Sequence, residues 1–116
     1  RARRLIRNAF DEVFKTHGCH VLLTPAVPEP AFRIGEKSDD PLSMYLEDLF
    51  TVPANLAGVP AITVPTGVVD ESGTALPVGV QLHAPALQED ALLRAARMLE
   101  QEISFSAHPP AEANPG

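Results

Sequence analysis

The chain contains one cysteine, Cys19, in 116 residues. A single thiol builds neither an internal disulfide framework nor a multi-cysteine zinc site, so a reducing, cytoplasmic setting is the expectation. No apolar run approaches the roughly 20 residues needed to cross a bilayer, and no signal-peptide pattern opens the chain. Positive charge is scarce as well: nine Lys plus Arg stand against fifteen Asp plus Glu, a formal net charge of −6. An autonomous nucleic-acid binder needs a basic surface for phosphates, and this balance argues against one. No glycine run has the spacing of a phosphate cradle. Ser38, Ser43, Ser72, Ser104 and Ser106 all lie outside any G-x-S-x-G elbow. His17, His20, His83 and His108 lack metal-ligand spacing.

What is present is an ordinary globular composition, 45% apolar and 21% charged, in a length that suits one domain or a piece of one. Proline is abundant, 12 residues, about twice average usage. Ile6, Ala9, Phe10, Val13 and Phe14 recur at helical spacing, and Gly18 is a natural stop. Arg1, Arg3, Arg4 and Arg7 crowd the apparent start of that helix, where the macrodipole favours anions. Arg1 is therefore expected to lie inside or near a longer helix that begins further upstream.

Val21 to Thr24 reads as a short buried strand ended by Pro25, and Pro25, Pro28 and Pro30 enforce an extended loop after it. Asp40-Pro41 suits a helix start, with Asp as N-cap and Pro at the first helical position. Leu42, Tyr45, Leu46, Leu49 and Phe50 form one apolar stripe on that helix. Pro53 opens a short helical segment closed by Gly58. Ala61 to Val64 reads as a strand stopped at Pro65, and Asp70 to Gly73 as a polar turn. Val78, Val80 and Leu82 alternate with Gly79, Gln81 and His83, the periodicity of a strand paired antiparallel with the one before the turn. Leu92, Ala95, Ala96, Leu99 and Ile103 mark a last helix, with Asp90 and Arg94 spaced for an ion pair. The order is α–β–loop–α–β–β–α: residues 1–107 form an α/β segment and 108–116 a flexible tail.

Few residues in this pattern carry chemistry. Cys19 and His20 are strand neighbours that point to opposite faces, so adjacency makes no dyad, and Cys19 is expected to be a small buried thiol. Asp39 and Asp40 read as loop and cap residues, and Glu36-Lys37 as a solvated pair. Asn55 and Gln81 are expected to satisfy buried backbone groups. Asp48 stands apart, because it flanks an apolar stripe beside Tyr45; its chemistry alone fits a surface or capping role at least as well as a half-buried one. A half-buried carboxylate needs a cationic or hydrogen-bonding partner, and a ligand ammonium serves as well as an arginine.

Three stretches resemble the amidase-signature enzymes: Leu23 to Gly58, Val59 to Gly67, and Leu76 to Leu82. The pattern N-L-A-G-x-P-A-I-x-V-P at 55–65, followed by P-x-G-x-Q at 77–81, is shared across that family. The narrower stretch I-G-E-K-x-D-D-P-L-x-M-Y at 34–45 is similar to the glutamine-hydrolysing subunits of aspartyl/glutamyl-tRNA(Asn/Gln) amidotransferases. The resemblance covers about Arg4 to Ile103. It implies the C-terminal part of the amidase-signature fold, a mixed β-sheet flanked by helices. In that branch glutamine is hydrolysed to glutamate and ammonia, and a separate B-type subunit uses ATP and Mg to amidate misacylated tRNA. A C-type subunit is the third member of the complex.

The family's nucleophilic serine, second serine and lysine base lie in upstream elements that have no counterpart here. Lys15 and Lys37 do not take the lysine's place, so no catalytic residue and no metal or cofactor is assigned within this chain, and the segment alone is expected to be inactive. One residue does carry over: Asp48 in Tyr45-Leu-Glu-Asp48 matches the family aspartate that binds the α-ammonium of glutamine. Two alternatives stay open, a general amidase acting on small amides without a tRNA partner and a non-catalytic module derived from one. No membrane association is expected.

Overall fold

The computed structural model describes residues 1–36 and 40–105. Helix α1 (Ala2–Asp11) runs into a π-helical turn over Glu12–Thr16, and strand β1 (Leu22–Pro25) follows. Two short helices come next, α2 (Pro41–Glu47) and α3 (Val52–Ala57). The hairpin β2 (Ala61–Glu71) and β3 (Thr74–His83) and the long helix α4 (Glu89–Ile103) complete the chain. The strands form one sheet in the order β1-β3-β2, antiparallel throughout. Among the described residues, no helix is long and apolar enough to cross a membrane.

The hairpin follows from local chemistry. Ser72 and Gly73 both have positive φ, 54° and 86°, which twists a two-residue loop in the sense that strands prefer. The Gly73 N–H donates to Asp70 Oδ1 at 2.8 Å and closes the turn. Pro65 does not stop the strand, contrary to the expectation above. Strand β2 is an edge, and the register slips between Pro65, opposite Gly79, and Gly67, opposite Val78. The bulge at Thr66 absorbs a residue that cannot donate to a ladder, which is where sheets tolerate proline.

Alternation along β3 then divides the molecule into layers. Leu82 and the residues paired around it, Ile62 and Val64, face α4, where Leu92 and Ala96 close a small core with Ala84. Gln81 and His83 point to the opposite face, which meets α1 and the chain between α2 and α3. Phe10 of α1 lies against His83 with ring centroids 5.4 Å apart. Helix α1 and the turn after it therefore bury Phe14 and half-bury Phe10, while the arginines stay in solvent. The Asp90–Arg94 pair forms on exposed α4 at 3.2 Å. The stretches 37–39 and 106–116, which include Lys37, Asp39 and the tail from His108, lie outside the described residues.

Candidate functional site

The site is built from the end of α2. Asp40 caps the helix, its Oδ1 accepting from the Ser43 N–H at 3.3 Å, with Pro41 in the first turn. The helix ends at Glu47, two to three residues before the apolar stripe does, so Leu49 and Phe50 lie in the turn that follows. Asp48 is consequently not a flank residue of a continuing helix but the C-cap of α2, with φ −95° and ψ 7°. Its N–H donates to the Tyr45 carbonyl at 3.1 Å. Its own carbonyl accepts from the Thr51 and Val52 N–H groups, both at 3.1 Å, and from Thr51 Oγ1 at 3.3 Å. One peptide oxygen thus staples the 48–51 turn to the start of α3.

The Asp48 side chain is exposed rather than half-buried. Among the described residues none gives its carboxylate a hydrogen bond or ion pair. A helix C-terminus already presents partial negative charge through its last carbonyls. A carboxylate placed there without a cation is unfavourable, and together the two suit a small cation such as an ammonium group.

Beneath the turn lies Gln81, 4% exposed, whose Nε2 donates to the Phe50 carbonyl at 2.8 Å and to Thr24 Oγ1 at 3.3 Å. Gln81 thereby satisfies a backbone carbonyl, as the sequence suggests. Asn55 differs: it is exposed, and its Nδ2 donates to the Thr51 carbonyl at 3.2 Å, one turn back along its own helix. Cys19 is half-buried, with its thiol donating to the Val21 carbonyl at 3.0 Å, and His20 is exposed. Glu36 Oε2 accepts from the Arg33 N–H at 3.3 Å inside the 33–36 turn.

His83 is the residue that sequence reasoning passes over. It is 2% exposed, and among the described residues neither ring nitrogen has a hydrogen-bond partner. Burial lowers its pKa below the usual histidine value, while the main chain of Leu22, its ladder partner, pulls the other way without reaching hydrogen-bond geometry. The only signal in the sequence is its place on the Gln81 side of the strand alternation.

Two open clefts lie away from Asp48. One of about 550 Å³ runs between the 29–36 loop and the tip of the hairpin, and one of about 420 Å³ between the arginines of α1 and the end of α3. Among the described residues, no three His, Cys, Asp or Glu side chains come together as metal ligands.

Known proteins resemble this chain in sequence and in fold. The chain is 52% identical over 111 residues to the A subunit of a glutamyl-tRNA(Gln) amidotransferase from Parvibaculum lavamentivorans, covering 96% of this chain and 22% of the relative. It is 49% identical over 110 residues to the protein of the same name from Rhodopirellula baltica, covering 95% and 21%. The chain therefore spans about a fifth of the length of these relatives. The solved structure of 6-aminohexanoate cyclic dimer hydrolase superposes with a TM-score of 0.77 at 30% identity, over 94% of this chain and 24% of that one. A vestigial protein complex bearing on the origins of an s-triazine catabolic enzyme gives a TM-score of 0.69 at 28% identity, over 90% and 23%. The amidase family model matches residues 1–93, most of the sequence and every element that shapes the Asp48 turn, and this chain belongs to the amidase family.

Proposed function

We propose that the chain is the C-terminal part of the glutamine-hydrolysing subunit of a tRNA-dependent amidotransferase, and that Asp48 binds the α-ammonium of glutamine. The observation that carries the reading is identity of 49–52% along nearly the whole chain to subunits of that name. The solved structures of other proteins, similar at 28–30%, support the fold but not the branch. The carboxylate at the end of α2, exposed and without a partner among the described residues, supports the residue assignment, because it offers what a free amino acid's ammonium requires.

On this reading the nucleophilic serine, its partner serine and the lysine base belong to other parts of the full-length protein, and residues 1–116 supply scaffold and one recognition group. The segment alone hydrolyses nothing. The B-type subunit uses ATP and Mg, the C-type subunit is the third member of the assembly, and misacylated tRNA meets the complex rather than this segment. The complex works in the cytoplasm.

The test is reconstitution. The full-length protein, combined with B- and C-type subunits, ATP, Mg and glutamyl-tRNA(Gln), converts the tRNA to its glutaminyl form at the expense of glutamine. Hydrolysis of small amides with no dependence on those partners would replace this reading with a general amidase.

A further inference from the structure

From the contacts of Gln81 we infer that this side chain is the positioning residue for the Asp48 carboxylate. The inference rests on the Asp48 reading above. Phe50, whose carbonyl Gln81 Nε2 holds at 2.8 Å, is two residues beyond Asp48 in the same turn and 31 residues from Gln81 in sequence. The remaining bonds of the turn are local: Asp48 and Leu49 to the Tyr45 and Leu46 carbonyls, Thr51 and Val52 to the Asp48 carbonyl, and Asn55 to the Thr51 carbonyl. They shape the turn and join it to α3, but none attaches it to the sheet. Among the described residues, Gln81 alone makes a side-chain hydrogen bond from the sheet to residues 48–51.

The chemistry of that bond explains the amide. The Phe50 carbonyl can only accept, so the nitrogen end of the Gln81 side chain must face it, and the second amide proton goes to Thr24 Oγ1 at 3.3 Å. One buried group thus ties β3, β1 and the turn together at a point where water cannot substitute. A methionine of similar shape offers no donor and leaves the carbonyl free to move, and Asp48 with it. Displacing a recognition group by about 1 Å weakens binding without touching the reacting atoms.

The experiment uses the full-length protein in its complex, with Gln81→Met, Asp48→Asn and the double variant. Q81M is expected to raise KM for glutamine about tenfold while kcat at saturation and amidation driven by ammonium chloride stay within about twofold. In the D48N background, Q81M is expected to add little, because the two residues act through one contact. Equal losses of glutamine-driven and ammonium-driven activity in Q81M would overturn the proposal, as would fully multiplicative effects in the double variant. A raised KM in D48N beside an unchanged one in Q81M would reject Gln81 and leave the Asp48 reading intact. An unchanged KM in D48N would reject both. Should Q81M be recovered unfolded, Thr24→Val decides: it frees the second Gln81 proton, and a KM rise of about twofold supports the proposal while no change overturns it.

Discussion

His83 sits where β1, β3 and α1 converge, with Phe10 against its ring and, among the described residues, no partner for either nitrogen. A buried imidazole in this state is folded in its neutral form, and its pKa lies below the usual value. In the unfolded chain the same ring takes up a proton at around pH 6.5. Between the two values the unfolded state binds more protons, so stability rises with pH, is complete above about pH 6.5, and is lost as pH falls toward the folded-state value. The urea midpoint of the full-length protein should therefore decline as pH falls below about 6.5, and less steeply in His83→Leu. Equal slopes would remove His83 as a source of the pH dependence. At neutral pH the same substitution should stabilise the protein by about 1 kcal/mol, since it deletes two polar atoms with no partner and keeps the volume.

The hairpin shows why a strand can be legible and its limits not. The alternation of Val78 to Leu82 and the polar turn at 70–73 are local signals, and the ladder follows them. Pro65 reads locally as a stop, yet an edge position and a one-residue bulge make it harmless. The bulge has a consequence on the neighbouring strand. A Cβ built on Gly79 would lie 2.7 Å from the Val64 carbonyl oxygen, a backbone atom that cannot step aside. Gly79→Ala should cost about 1–3 kcal/mol in chemical denaturation. Gly67→Ala, beside the bulge but with nothing within 4 Å, should stay within about 0.5 kcal/mol. A reversed order would contradict the register. The end of α2 is illegible for a different reason. Apolar spacing continues to Phe50, but the turn at Asp48 is closed by backbone bonds and held by Gln81 from 31 residues away. No local pattern encodes that contact. A surface or capping role for Asp48 is open from its chemistry and the family resemblance singles it out as a ligand, whereas its place as the C-cap that ends α2 at Glu47 emerges only from the fold.

The molecule as a whole buries little. Five of the nine buried apolar residues are alanines, which leaves Phe14, Val64, Leu82 and Leu92 as the only large ones among the described residues. Leu42, Tyr45, Leu46 and Leu49, the stripe read from the sequence, are between 44% and 66% exposed. A chain with so small a core and so much open apolar surface has little stability to draw on. Residues 1–116 expressed alone should therefore bind a hydrophobic dye and melt without a cooperative transition, whereas the full-length protein should melt cooperatively. A sharp, dye-free transition of the isolated segment would favour a self-standing module over part of a larger enzyme. The most direct test of the central claim returns to one carboxylate in the intact complex. Asp48→Ala should raise KM for glutamine by about tenfold to a hundredfold, the worth of a charge-assisted contact, while ammonium-driven amidation of the tRNA stays within about twofold. Equal collapse of both reactions would make Asp48 a folding residue and contradict its role in recognising glutamine.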